Sequence, residues 1–336
     1  MGIVISDIDY HLPSINLTNE KISEQYPNWD VDKASNKTGV YNRFIADVGE
    51  TAFDLSVSAI SKLLHHSKIQ IEDIGGIIYC TQTPDYIMPS NSHLIHNKFN
   101  FRSSVWCFDY NLACSGFVFG VAIARGFIET KMAKHILLVT SDTYSKHIND
   151  KDRSTRLLFG DGAAASIISC SSETGLIDID LSTDGSSFKS FYIPAGGARM
   201  PRSSHTSMEY NDIIGNVKSK DNIHMEGKKV FNFVSKIVPD QIMEILNRNN
   251  LKIKDIDQFI FHQASKITLD SLANTLGIDE SKYFTNLKDI GNTVSASLPI
   301  ALKQAKELDK INKGDLVIIS GFGVGLSWGT ILYKVS

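Results

Sequence analysis

The sequence predicts an α/β fold with largely buried sheets, and two observations carry that expectation. Short apolar runs of strand-forming residues alternate along the chain with longer segments of helical periodicity. Several of the short runs are apolar on both faces, as strands are when helices cover them from either side. In chain order, residues 2–10 are short and β-branched and read as a strand. Residues 51–65 are helical, with Thr51 placed as an N-cap. Residues 75–80 and 105–109 read as strands, and residues 116–128 as a helix. In that helix Phe117, Val118, Val121, Ala122, Ile123, Phe127 and Ile128 cover nearly the whole circumference, so protein surrounds it. Strands follow at 135–140 and 163–169. The second half repeats the order: strand 175–181, helix 228–247, strand 258–261, helix 295–308, and strands 315–319 and 330–335. The halves meet near Cys170, which divides the chain into residues 1–170 and 171–336. Residues 194–226, rich in Gly, Ser, Arg and Lys, read as a long surface loop of the kind that serves as a lid or binding segment.

Composition excludes several classes. With 336 residues, 42% of them hydrophobic, the chain can bury a large core as one large or two fused domains. A net charge of -3 gives no global attraction for nucleic acid or an anionic membrane, so an acidic partner must meet a local basic patch. The longest apolar stretch, 112–124, contains Ser115 and stops at Arg125, short of the roughly 20 residues that a bilayer requires. Four cysteines without a CxxC pair, and no signal sequence, lead to the expectation of a reducing, cytoplasmic setting.

One cysteine stands apart. Cys114, in Asn-Leu-Ala-Cys-Ser-Gly-Phe at 111–117, falls on the connection between a strand and a buried helix, where the positive helix end is expected to favour thiolate. Cys80, Cys107 and Cys170 lie in strand contexts and read as small apolar fillers. His262, in Phe-His-Gln-Ala-Ser, taken alone fits a core histidine better than a catalytic one. Asn292, in Gly-Asn-Thr, changes that balance when the two are paired. His93 and His96 lack supporting carboxylates or thiols, so no metal site is expected there. Asp161 reads as a turn-closing side chain. The glycines at 321, 323 and 325 are not followed by Lys-Ser/Thr and precede a strand, which argues against a phosphate loop.

Cys114, His262 and Asn292 in this order, with Gly-Phe-Gly-Val-Gly-Leu-Ser-Trp-Gly at 321–329, resemble the β-ketoacyl-acyl carrier protein synthase III family of condensing enzymes. Phe-Gly-Asp-Gly-Ala at 159–163, Pro-Ala-Gly-Gly at 194–197 and His-Met-Glu-Gly at 224–227 extend the likeness to nearly the whole chain. The resemblance implies a thiolase-like five-layered αβαβα fold of two pseudo-duplicated halves, a homodimer, and an acyltransferase without metal or redox cofactor. It implies acylation of Cys114 by a coenzyme A or acyl carrier protein thioester, then decarboxylative condensation with a malonyl thioester. His262 and Asn292 would donate to the thioester carbonyl, because loss of carbon dioxide leaves an enolate oxygen whose charge must be held. An oxyanion hole would combine the Cys114 amide with that of Gly323 or Val324. Met88, in Tyr-Ile-Met-Pro, aligns with a residue that in relatives reaches across the dimer to close the partner's acyl pocket.

The departures concern the donor. An adenine-stacking tryptophan is expected near Lys33, before the triplet Lys37-Thr38-Gly39, and Trp29 lies a few residues too early. Arg153 stands at the position of the opposing arginine. A carrier-binding arginine five residues after the histidine is Ile267, beside Lys266. With half of the clamp absent, a carrier protein held by Lys228, Lys229 and Lys266 is the expected donor. An alternative keeps the acyl-cysteine and passes it to an alcohol or amine; a non-catalytic binding protein is the least supported, since all three side chains are present.

Overall fold

The computed structural model describes residues 2–336, and two sheets organise it. The first has the strand order Gly2–His11, Gly162–Ser171, His135–Asp142, Ile74–Cys80, Trp106–Tyr110, with the last three mutually parallel. The second has the order Gln258–Phe261, Leu316–Gly323, Ser327–Lys334, Leu176–Thr183, parallel in the first pair and antiparallel in the rest.

Helices sandwich and separate these sheets. Phe117, Val118 and Val121 of the helix Gly116–Glu129, with Leu298 and Ala301 of the helix Ser297–Glu307, pack against Ile78 and Leu138 of the first sheet and Ile319 and Ile331 of the second. The helix Ala52–His66 covers the first sheet's outer face through Leu55, Ile60 and Leu63. Thr51 caps it with a reciprocal bond to Asp54, a device worth about 1 kcal/mol. Helices Gly227–Arg248 and Lys266–Leu276 cover the second sheet's outer face through Val238, Ile242, Leu269 and Leu272. The result is helix, sheet, helix, sheet, helix. Each fully buried Leu, Ile or Phe in these layers contributes roughly 1.5–3 kcal/mol of transfer free energy.

Three expectations are corrected. The glycine segment does more than precede a strand: Gly321–Gly323 end one strand, paired to Ser327–Gly329 of the next, and only 324–326 turn. The helix expected from residue 295 opens with a 3-10 turn, Val294–Ala296, before Ser297. The segment 194–226 is not simply a surface loop. Asn216, Lys218, Ser219 and Ile223 are buried in it, and Lys218 is held by Asp212 at 3.2 Å. Asp161 is structural, but it does not close its own turn: it is buried and ties distant segments together, accepting from the Ala46 and Ser145 amides at 2.8 and 2.9 Å.

Candidate active site

Cys114 occupies the short connection between Trp106–Tyr110 and Gly116–Glu129, where the Gly116 N–H closes a turn on the Ala113 carbonyl at 2.8 Å. Ser115 ties this elbow to the second sheet through a 2.7 Å hydroxyl contact with Ser327. Glycine makes the approach possible. A Cβ on Gly321 would stand 2.9 Å from the Cys114 carbonyl oxygen, and one on Gly323 would stand 2.8 Å from Cys114 Cβ and 2.9 Å from Sγ.

Burial pushes the Cys114 thiol up, the Asp142 carboxylate adds to the push, and the amides of Cys114 and Val324 oppose it without prevailing. The expected lowering by the helix end is therefore not met in the free protein: desolvation of a thiolate outweighs the partial charge of the turn. The opposing amides are informative. Gly323 supplies the absence of a side chain beside the sulfur, and Val324 is the next amide along, one of the two that oppose the push.

His262 follows the strand Gln258–Phe261, and its amide bonds the Ser320 carbonyl at 2.8 Å. Its Nδ1 lies 2.6 Å from Ser297 Oγ, which also accepts from the Gln263 amide at 3.1 Å. With that amide on the hydroxyl oxygen, the hydroxyl proton is free to point at Nδ1, which leaves the ring's proton on Nε2. Burial lowers His262 to about 3, so the ring is neutral. Phe322 stands edge-on to it, centroids 5.6 Å apart.

Asn292 is pinned through its backbone, donating to the Leu158 carbonyl at 3.0 Å and accepting from Gly160 at 2.9 Å. Its Oδ1 accepts from the Val294 amide at 2.9 Å, which fixes the amide's orientation and presents Nδ2 to His262 Nε2 at 3.4 Å. That turn places Val294, a β-branched residue, at φ +54°. Such a conformation costs on the order of 1–3 kcal/mol and persists where its surroundings over-determine it.

Cys114, His262, Asn292, Phe322 and Gly323 line one cavity of about 540 Å³, with Lys37, Lys228 and Ile267 also among its walls. The other donor-side residues are placed differently. Lys266 pairs with Asp270 at 2.5 Å and lines a neighbouring cavity beside Gly39. Arg153 opens the short helix Arg153–Arg156, whose Ser154 reaches the cavity while Arg153 does not. Trp29 is stacked on Tyr26 at 4.2 Å, packed with Ile22 and Leu157, and Lys33 is exposed. Met88 is 80% exposed and lines none of these cavities within the single chain.

Sequence reasoning gave no role to Ser297, Val294 or Phe322, and did not see Asp142. Buried Asp142 accepts from the Gln82 amide at 2.8 Å and the Ser295 hydroxyl at 2.5 Å, and burial raises it to about 7. A serine two residues before a proline and an aspartate ending a strand carry no distinctive spacing, so only the fold shows them beside the site. Among the described residues no group of three or more His, Cys, Asp or Glu is placed to hold a metal ion, and no helix is long and apolar enough to cross a membrane.

Comparison with known proteins gives a consistent result. Residues 108–185 match the model of 3-oxoacyl-[acyl-carrier-protein (ACP)] synthase III, and residues 246–335 match that of its C-terminal region. The β-ketoacyl-[acyl-carrier-protein] synthase III of Caldanaerobacter subterraneus is 36% identical over 97% of this chain and 96% of its own length. The same enzyme of Clostridium perfringens is 36% identical over 97% of both chains. A crystal structure of a 3-oxoacyl-(acyl-carrier-protein) synthase III superposes with a TM-score of 0.96 at 34% identity, covering 99% of this chain and 100% of the other.

Proposed function

The chain belongs to the β-ketoacyl-[acyl-carrier-protein] synthase III family of thiolase-fold condensing enzymes, and from that membership we propose that it forms an acyl thioester on Cys114 and condenses it with a malonyl thioester. The observation that carries this reading is the convergence of the Cys114 thiol, His262 Nε2 and Asn292 Nδ2 on one cavity.

In the first half-reaction neutral His262 takes up its Nδ1–H tautomer, with Ser297 Oγ accepting from Nδ1, and its bare Nε2 takes the thiol proton as sulfur attacks the donor's thioester carbonyl. The oxyanion sits between the amides of Cys114 and Val324. The donor's carbon–sulfur bond breaks, and the departing thiolate takes the proton from His262. In the second, the malonyl thioester oxygen accepts from His262 Nε2–H and Asn292 Nδ2–H. The bond from Cα to the carboxylate breaks, carbon dioxide leaves, and the electron pair enters the enolate that these donors hold. Cα then attacks the acyl carbon, the bond to Cys114 sulfur breaks, and the thiolate takes up one proton from solvent. A neutral histidine suits both steps because its single proton can sit on either nitrogen, on Nδ1 while Nε2 acts as base and on Nε2 while it acts as donor.

The donor arrives at a cavity edged by Lys37 and Lys228. A phosphopantetheine arm on an acyl carrier protein fits this opening without needing an adenine clamp, which Lys33 does not supply. We take the active form to be a homodimer in which Met88 closes the partner's acyl cavity.

The half-reactions separate experimentally. Asn292→Ala should leave acylation of Cys114, read by intact-protein mass after exposure to acyl thioesters, within a few-fold of wild type. It should slow malonyl decarboxylation by about 10² or more, the scale of losing one preorganised oxyanion donor. Full condensation activity in that variant would rule out the enolate role.

A further inference from the structure

Resting on the acyl-cysteine reading, we propose that the acyl group placed on Cys114 is short and carries a neutral hydrogen-bonding oxygen, a hydroxyl or ketone, instead of being a plain alkyl chain. The observation is a second cavity, of about 340 Å³, bordered by Val324 and Gly325. Gly323, where a Cβ would stand 2.9 Å from the Cys114 sulfur, lines the cavity that holds His262 and Asn292, its neighbour Val324 lines this one, and Phe191 lines both. The thiol therefore stands where the two spaces meet, and an acyl group bonded to sulfur has this second space in which to extend.

One side of the cavity is apolar, formed by Phe188, Phe191, Ile193 and Ile223. The other is a chain of polar side chains. The Tyr144 hydroxyl donates to Gln82 Oε1, and Gln82 Nε2 donates to Asn111 Oδ1 at 2.9 Å. Gln82 is held from behind by its own amide on Asp142 Oδ1 at 2.8 Å. Counting donors and acceptors shows what is left over. Both amide oxygens of Gln82 and Asn111 are used, whereas Asn111 keeps its two N–H groups and Gln82 one, none of them engaged among the described residues. The wall therefore offers donors and asks for an acceptor. His147, also lining the cavity, is lowered by burial and by Arg202, whose guanidinium lies 3.4 Å from its Nδ1 and is not itself a lining residue, so no lysine or arginine side chain lines this wall.

Asn111 is exposed and Gln82 half-buried, so a fully aliphatic chain would strip water chiefly from the free Gln82 N–H and return nothing, leaving that polar group unpaired. A hydroxyl or ketone oxygen would replace that water. Sites that hydrogen-bond a substrate oxygen reject the analogue lacking it far more strongly than apolar pockets reject an extra methylene.

The test compares thioesters of one length. The full-length protein is mixed with an acyl carrier protein loaded with a 3-hydroxybutyryl, acetoacetyl or butyryl thioester, and the rate of mass gain at Cys114 is followed. The oxygenated donors should acylate at least about 10-fold faster than butyryl. Gln82→Leu, and Tyr144→Phe as a variant of nearly unchanged volume, should narrow or reverse that ratio in protein whose circular dichroism matches wild type. Butyryl acylating as fast as the oxygenated donors overturns this proposal alone, and so does a preference that neither variant alters. No mass gain at Cys114 from any of the three overturns the acyl-cysteine reading and this proposal with it.

Discussion

At the scale of single residues, the site is an arrangement of hydrogen-bond directions more than of charges. Asn292 is useful because the Val294 amide occupies its oxygen, and His262 because Ser297 meets its Nδ1 at 2.6 Å. Ser297→Ala removes the group that sets which ring nitrogen bears the proton. We expect kcat for malonyl decarboxylation to fall by about 10-fold with KM little changed, short of the roughly 10² expected for deleting a donor outright. A variant with wild-type kcat would show that the ring needs no orienting partner. Cys114, His262 and Asn292 were legible as residue types, because a nucleophile and two neutral donors are what the chemistry requires. Their partners were not legible. Ser297 and Val294 act through a hydroxyl and a backbone amide, and nothing in residue identity marks either group.

At the scale of elements, the close approach of the glycine strand Leu316–Gly323 to the elbow at Cys114 is the feature most exposed to substitution. Gly323→Ala would bring a methyl group within 2.9 Å of the sulfur, so either the strand end or the thiol must move. Overpacking of this kind costs typically 1–3 kcal/mol. Displacement from the Val324 amide should also slow acylation by at least about 10-fold; a wild-type rate with an unchanged melting temperature would contradict the contact. The central strands Ile74–Cys80 and His135–Asp142 were legible as apolar runs; the helix Gly116–Glu129 was legible too, but it is not surrounded, since Ala122, Ile123 and Phe127 are half-buried and Arg125 pairs with Glu129 on its open side. The helix Lys266–Leu276 was not. Its stripe of Leu269, Leu272, Ala273 and Leu276 is regular, but Ile267 falls off that stripe and is half exposed at the cavity's edge. Helices Asn19–Gln25 and Val31–Thr38 bury only two residues each and depend on the caps Thr18 and Asp30, too little apolar surface for periodicity to register.

At the scale of the whole molecule, the two halves meet in a buried region that contains titratable groups pulling stability in opposite directions. Asp142 is raised from its ordinary value to about 7, so its contribution is full below about pH 4 and is lost as pH rises through 7. His262 is lowered to about 3, so its contribution is full above about pH 6.5 and is lost as pH falls toward 3. Between roughly pH 4 and 6.5 the two slopes oppose, each limited to about 1.4 kcal/mol per pH unit for one proton. Asp142→Asn removes the slope that favours acid and leaves that of His262 alone. The Ser295 hydroxyl, which donates to Asp142 in the native protein, can rotate and accept from the new amide, whereas the 3.3 Å bond from the Ser295 amide is lost at every pH and so lowers the whole curve without changing its slope. The variant's melting temperature, followed from pH 7 down to 4.5, should fall more steeply than that of wild type. Every other ionisable group is common to the two proteins, so the difference between the curves isolates this carboxyl. Parallel curves would mean that Asp142 is ionised throughout that range, stabilised by its bonds from Gln82 and Ser295 more strongly than burial opposes it. The Cys114 thiolate would then form beside a standing negative charge, and the need for His262 to remove the thiol proton would be greater still.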